Sequence, residues 1–64
     1  MNLKSIIETI LFVRAEPTDL KTITAITAEG EQTVRAALAE LVKEYSERGI
    51  ALLEKDDSWQ FASS

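Results

Sequence analysis

Residues 49–61, with the sequence GIALLEKDDSWQF, decide the fold, because the spacing of apolar residues changes here from the period of a helix to that of a strand. Beyond a polar turn, Trp59 and Phe61 occupy alternate positions, as residues on one face of a β-strand do. We predict a β-hairpin in which Leu52 pairs with Phe61 and Glu54 pairs with Trp59. This register places the apolar side chains on one face of the hairpin, where they can cover helices.

A long helix is predicted directly before the hairpin. Apolar residues recur with helical spacing from about Glu31 to Arg48, and Gly49 ends the segment. The predicted buried stripe of this third helix consists of Val34, Leu38, Leu41, Val42 and Tyr45. Gly30, in the turn before the helix, can adopt a positive φ at low cost. This segment carries the strongest helical signal in the chain.

The N-terminal segment is also predicted to be a helix, with Asn2 as its N-cap. Its apolar residues follow helical spacing and are Leu3, Ile6, Ile7, Ile10, Leu11 and Val13. The last turn is apolar on every side, so it has to be covered from more than one direction. Phe12 points away from the main stripe, and either the rest of this fold or another chain covers it.

A short second helix is predicted after Pro17, which favours extended backbone at the residue before it. Thr18 is predicted to be the N-cap, and Asp19 to lie at the positive end of the helix dipole. Apolar residues continue at i, i+3 and i+6, namely Leu20, Ile23 and Ile26. A strand over residues 22–27 is the alternative, but its alternation fails and the capping signal favours the helix.

The predicted order is helix, helix, longer helix, hairpin, with a glycine-containing turn between the second and third helices. This order is that of the winged helix-turn-helix, a mainly α fold with a two-stranded β-hairpin as its wing. We expect residues 1–64 to form a single domain of this kind. A folded chain of this length buries only about 60% of the surface that its unfolded form exposes. The core is therefore thin, and a partner chain would stabilise it.

The winged helix suggests DNA binding, which requires basic residues against phosphates. The face of the third helix opposite its buried stripe is instead mixed in charge, with Gln32, Ala36, Ala39, Glu40, Lys43 and Glu47. The wing tip carries Lys55 beside Asp56 and Asp57, and the chain has a net charge of −4. The DNA-binding domain of a transcriptional regulator is therefore the alternative function. Exposed alanines suit a protein contact, although alanine also fills solvated helix surface because it is the best helix former.

The composition excludes several kinds of chemistry. The chain has no His and no Cys, so histidine acid–base catalysis, a thiol nucleophile and a disulfide framework are excluded. Two glycines cannot make a glycine-rich phosphate loop, and no apolar run reaches the roughly 18 residues of a membrane span. Asp56 and Asp57 suit a turn better than a cation site, and Trp59 suits the core better than base stacking. We expect a non-enzymatic cytoplasmic protein without a metal or cofactor.

Four stretches give a more specific indication. They are LKSIIE at residues 3–8, LFV at residues 11–13, VRAALAEL at residues 34–41 and ERGI at residues 47–50. With them the chain resembles the family of segregation and condensation protein B, or ScpB, of bacterial chromosome-organising complexes. The resemblance covers nearly all 64 residues. The turn at residues 28–31 and a wing with two Asp and no Gly depart from the family's pattern.

The resemblance implies a function in chromosome condensation and partition. Members of this family are longer and carry two winged-helix domains in tandem, and the chain is similar to the N-terminal one. The family implies a non-enzymatic subunit that dimerises largely through this domain and binds the kleisin ScpA, which bridges the head domains of the SMC ATPase. Apolar exposure alone selects the candidate protein-contact residues, which are Phe12, Ala36, Ala39 and Leu53. Leu53 is predicted on the outer face of the hairpin, together with Ala51 and Ala62.

Overall fold

Three helices and a small antiparallel sheet form the fold in the computed structural model, which describes residues 2–14 and 16–63. The elements in chain order are α1 (Leu3–Val13), β1 (Thr18–Asp19), α2 (Leu20–Thr27), α3 (Glu31–Ser46), β2 (Ile50–Lys55) and β3 (Ser58–Ser63). The strand order across the sheet is β1-β3-β2, so β3 lies in the middle. This arrangement confirms the predicted winged helix and adds one short strand to it.

The β2–β3 hairpin has the predicted register, with Leu52 opposite Phe61 and Glu54 opposite Trp59. The alternation of apolar residues explains why the register is predictable, because a shift by one residue would turn every apolar side chain to the other face. Leu52 and Trp59 are buried beneath the helices. The hairpin thus closes the core from one side.

A two-residue loop, Asp56 and Asp57, joins the strands of the hairpin between the paired residues Lys55 and Ser58. Both loop residues have left-handed backbone, with φ angles of 52° and 59°. Positive φ at both positions is the signature of a type I′ turn, whose twist matches that of the flanking strands. Asp tolerates the left-handed region better than most residues do. The wing therefore turns tightly without glycine.

The start of α2 differs from the prediction that Thr18 is its N-cap. Thr18 lies in β1 opposite Trp59 of β3, and its side chain is buried. Asp19 is the N-cap, and its Oδ1 accepts a hydrogen bond of 2.8 Å from the backbone N–H of Thr22. The backbone N–H of Leu20 donates to the carbonyl of the wing-tip loop residue Asp57 at 2.9 Å. The prediction is one residue early because β1 depends on a partner strand that is distant in sequence.

The connections around α3 also differ from the sequence prediction in detail. Ala28, at the C-cap of α2, has the left-handed conformation with φ of 60°, whereas Gly30 is the N-cap of α3 with φ of −70°. The positive φ that Gly30 was suited to adopt is therefore adopted by an alanine. Helix α3 ends at Ser46, before the predicted end at Arg48. Gly49, with φ of 76°, then turns the chain into β2.

The core lies between the helices and the inner face of the sheet. Its buried residues are Ile7, Leu11, Leu20, Ile23, Val34, Ala37, Leu38, Leu41, Tyr45, Leu52 and Trp59. Val13 and Ile26 share the helical spacing of the apolar residues but lie outside this core, because their side chains are 77% and 54% exposed. Val13 lies about 200° around the helix from Leu11, and Ile26 lies about 120° from Leu20. Both side chains therefore leave the stripe that faces the core.

The two isoleucines of α2 offer a matched test of this core. We expect Ile23→Ala to lower the free energy of unfolding by about 2–5 kcal/mol, because Ile23 is fully buried and leaves a cavity. Ile26→Ala makes the same chemical change on the exposed side of the same helix, and we expect a change within about 0.5 kcal/mol. Urea denaturation followed by circular dichroism measures both. Equal losses of stability in the two variants would contradict the described core.

The N-cap of α2 predicts how stability depends on pH. Hydrogen bonds from the Thr22 side chain and then its backbone N–H lower the pKa of Asp19 below its ordinary value. The folded state therefore binds fewer protons than the unfolded state, and stability from this group is present above the unfolded pKa and lost as pH falls. We expect Asp19→Asn, which keeps an acceptor at the cap, to flatten the decline in unfolding free energy below about pH 4. Urea titrations from about pH 2.5 to 5 test this expectation, and an unchanged slope would contradict it.

Candidate protein interface

The outer face of α3 is exposed as predicted. All six residues assigned to it are exposed, namely Gln32, Ala36, Ala39, Glu40, Lys43 and Glu47. Ala36 and Ala39 differ in their surroundings, however. Ala36 borders a depression between the start of α1 and the first half of α3, whereas Ala39 borders a groove between α3 and the hairpin. The two alanines therefore belong to separate surfaces.

The α1–α3 depression, around Ala36, is lined by one basic and one acidic residue of the described part of the chain, Lys4 and Glu40. Lys4 lies on its rim and forms an ion pair with Glu44. The hydrogen bond to Glu44 is the main cause that raises the pKa of Lys4, and the charges of Glu44, Glu40 and Glu8 act in the same direction. The negative charges of these three carboxylates therefore favour the charged form of the Lys4 ammonium group. Among its described residues, the depression therefore offers phosphate no free ammonium group, because Lys4 is already paired with Glu44.

The groove between α3 and the hairpin, hereafter the α3–wing groove, has an apolar floor and charged ends. It is lined by Arg35, Ala39, Val42, Leu52, Glu54 and Trp59. An Nη2 atom of Arg35 donates a hydrogen bond of 2.9 Å to Oδ2 of Asp57, so the wing tip neutralises this guanidinium. Glu54 forms no ion pair within the described part of the chain. The groove therefore carries one uncompensated carboxylate.

Phe12 lies in an aromatic cluster at the end of α1. Its ring stacks on that of Phe61, with the centroids 4.3 Å apart and an angle of 16° between the planes. Phe61 in turn meets the edge of the Tyr45 ring, with centroids 4.7 Å apart. Phe12 is nevertheless 56% exposed. The chain's own fold covers one face of this ring, and coverage of the other by a second chain stays a prediction.

Tyr45 links α3 to α1, and its ring is buried as predicted. Its hydroxyl donates a hydrogen bond to Oε2 of Glu8. This bond, with burial and the charge of Glu8 as further causes, raises the pKa of Tyr45. The guanidinium of Arg48 lies over the ring, 5.5 Å from its centroid. The interactions of Tyr45 hold α1 against α3 and thereby fix the position of the aromatic cluster.

Leu53 projects from the outer face of the sheet, on the side away from the helices, and is 52% exposed. A shallow depression beside it is lined in part by Pro17 and Gln60. Ala51 on the same strand is exposed, and Ala62 of β3 is half-buried. The predicted outer apolar face is therefore present, although it is small.

The four predicted contact residues do not form one patch. Phe12 packs on the inner face of the sheet through Phe61, whereas Leu53 lies on the outer face. Val13 and Ile26 are further exposed apolar residues that the sequence analysis did not select as contact candidates. The signal that could have found them is their angular drift from the buried stripe of each helix.

Two kinds of site are not found among the residues that the structure describes. Within residues 2–14 and 16–63, no group of three or more acidic residues is placed to hold a metal ion. In the same part of the chain, no helix is long and apolar enough to cross a bilayer. Asp56 and Asp57 serve as the residues of the tight turn that their sequence suggested.

Comparison with known proteins supports one family. The family model for the segregation and condensation complex subunit ScpB matches residues 5–64. Segregation and condensation protein B from Alkaliphilus oremlandii (strain OhILAs) is 33% identical over 63 residues, which are 95% of this chain and 34% of that protein. The crystal structure of ScpB from Mycobacterium tuberculosis superposes with a TM-score of 0.87 at 26% identity, covering 97% of this chain and 40% of that one. The chain thus spans about a third of its curated relative, and it belongs to the ScpB family of segregation and condensation complex subunits.

Proposed function

We propose that this chain is a non-enzymatic architectural part of a bacterial SMC–kleisin complex that acts in chromosome condensation and partition. In this proposal it forms a homodimer and binds the kleisin ScpA. Through ScpA it associates with the SMC ATPase at the nucleoid, in the cytoplasm. The observation that carries the proposal is the match to the ScpB family over residues 5–64.

The proposal also concerns the place of this domain in a longer protein. The chain covers 34% of its curated relative and 40% of the solved ScpB chain. We propose that it is the N-terminal winged-helix domain of a protein with two such domains in tandem. Its role is then to bind other chains of the complex, because the sequence offers no histidine or cysteine for catalysis.

A protein partner also suits the physical properties of the domain. Four large apolar side chains are more than half exposed among the described residues, namely Phe12, Val13, Ile26 and Leu53. Removing this apolar surface from water would favour a complex with another chain. A partner that binds only the folded state also stabilises that state by mass action. A homodimer that covers the outer face of the sheet at Leu53, and leaves Ile26 exposed, would therefore compensate for the thin core.

The charge distribution argues against the DNA-binding alternative. In a DNA-binding winged helix, basic residues of the third helix and of the wing contact phosphates. Here the α3 residue Arg35 is already paired with Asp57 of the wing tip. The neighbouring wing residue Asp56 adds a further negative charge, and the chain as a whole has a net charge of −4.

We expect the protein not to bind duplex DNA, because its acidic surface gains nothing from releasing counterions. An electrophoretic mobility-shift assay at low ionic strength, about 50 mM salt, is the sensitive condition, because phosphate contacts are strongest there. A shift that weakens steeply as salt is raised would instead support the transcriptional-regulator alternative.

The proposed homodimer is tested by analytical ultracentrifugation of the wild-type chain at several concentrations. We expect a concentration-dependent dimer, and we expect Leu53→Ser to raise its dissociation constant about tenfold, because the outer apolar face loses its largest side chain. Ile26→Ser is the matched control, since Ile26 is an aliphatic residue of similar exposure on a different element. Its dissociation constant should change by less than about twofold. Monomers at every concentration, or equal effects of the two substitutions, would contradict the proposed contact.

A further inference from the structure

Strand β2 has one side without a partner strand. Within the described residues it pairs only with β3, and it forms an edge of the sheet. A two-residue turn closes on a hydrogen-bonded pair, here Lys55 with Ser58, and bonded and non-bonded pairs then alternate along the ladder. The backbone N–H and C=O groups of Glu54 and Leu52 therefore point away from β3. Such free backbone groups are a template for an additional strand.

The α3–wing groove lies along this free edge. Helix α3 packs against β2, whereas α1 packs against β3, so α3 occupies the side of the sheet where β2 is the edge. The groove floor combines Ala39 and Val42 of α3 with Leu52 of β2. Small and branched apolar side chains there leave room for side chains of an added strand. The edge and the groove thus form one continuous surface.

The first four residues of the edge strand lack the usual protection against pairing. Proline, a bulge or several charged residues normally prevent a further strand from adding to an exposed edge. Residues 50–53, with the sequence IALL, are all apolar, and the strand contains no proline. Its register with β3 is continuous from Ile50 to Lys55, without a bulge. This unprotected edge suggests that pairing is part of the function.

The charges at the groove select the chemistry of the added strand. The positive end of the groove, Arg35, is neutralised by Asp57. Glu54 forms no ion pair among the described residues, and its side chain lines the groove. A lysine or arginine of the bound segment would therefore find an available carboxylate.

We propose that β2 and the α3–wing groove bind an extended segment of a partner protein, which joins the sheet as a fourth strand. Alternate apolar side chains of the segment occupy the groove, and a basic residue pairs with Glu54. In this mode of recognition the backbone supplies affinity and the alternating side chains supply specificity. The inference rests on the proposed protein-binding function and names the surface and the kind of segment bound.

A second copy of β2 is a poorer occupant of the same edge. If two copies of β2 pair antiparallel, Glu54 of one copy lies opposite Ile50, Leu52 or Glu54 of the other, because only these residues direct their backbone groups to the free edge. None of these three residues carries a positive charge, so the carboxylate of Glu54 stays uncompensated. A basic segment of a different protein satisfies both the backbone and Glu54.

Two alanine substitutions on α3 test the surface. The wild-type chain and each variant are titrated with ScpA of the same bacterium by isothermal titration calorimetry. We expect Ala39→Lys to weaken binding at least about tenfold, because a long cationic side chain then occupies the groove and competes for Glu54. Ala36→Lys introduces the same side chain at an exposed alanine outside the groove, and we expect a change within about twofold.

The backbone edge is tested separately. Glu54→Pro removes a backbone N–H of β2 that points away from β3, so we expect the hairpin to be retained. The bound segment loses one backbone hydrogen bond and its ion pair with Glu54, so we expect its affinity to fall. Glu54→Gln removes only the charge, and we expect a smaller loss of affinity together with a weaker salt dependence. Hydrogen exchange in the wild-type chain gives a further readout, since the Leu52 and Glu54 amides should become protected when ScpA binds.

The outcomes distinguish the two proposals. If the wild-type chain binds ScpA and the Ala39→Lys variant binds equally well, or the Leu52 and Glu54 amides stay unprotected, the inferred surface is wrong while the proposed function stands. If wild type does not bind ScpA at all, both proposals fail. If Ala39→Lys abolishes dimerisation and leaves ScpA binding intact, a second copy occupies the edge and the inference is overturned.

Discussion

The position of β3 between β1 and β2 is the constraint on which the rest of the fold depends. Both pairings meet at Ser58 and Trp59, and Trp59 lies opposite Thr18 of β1 and opposite Glu54 of β2. Its side chain is buried beneath the helices, which anchors the sheet to the core. The next pair, Asp19 with Ser58, places the N-cap of α2 beside the wing tip. A single strand thus sets the positions of the wing and of the second helix relative to each other.

Sequence patterns predicted those elements whose signals are local. The hairpin register followed from alternation over residues 50–61, and α3 followed from its long apolar stripe. Strand β1 has only two residues, which are too few to show alternation, and its pairing partner is remote in the chain. The left-handed conformation of Ala28, between α2 and α3, was equally unpredictable, because alanine has no preference for that conformation.

The exposure of the candidate contact residues was predictable residue by residue, whereas their arrangement was not. Exposure of Phe12, Ala36, Ala39 and Leu53 followed from helical and strand periodicity. Their distribution over separate surfaces depended on how the helices cross the sheet, which no single element encodes. The aromatic contact between Phe12 and Phe61 joins the first helix to the last strand and has no local signal. The mixed charge of the sequence was more informative about this surface, because it agrees with the observed ion pair between Arg35 of α3 and Asp57 of the wing tip.

The strand order also has a consequence for the order in which the chain can assemble. β1 and β2 are not neighbours, so neither can pair within the sheet before β3 is available. During synthesis on the ribosome, β3 emerges last of the three strands. Until that moment the apolar edge of β2 has no partner on either side, a condition that favours aggregation. Helices α1, α2 and α3 can form before that point, because their hydrogen bonds are local. The sheet can therefore form only after its central strand, β3, has been synthesised.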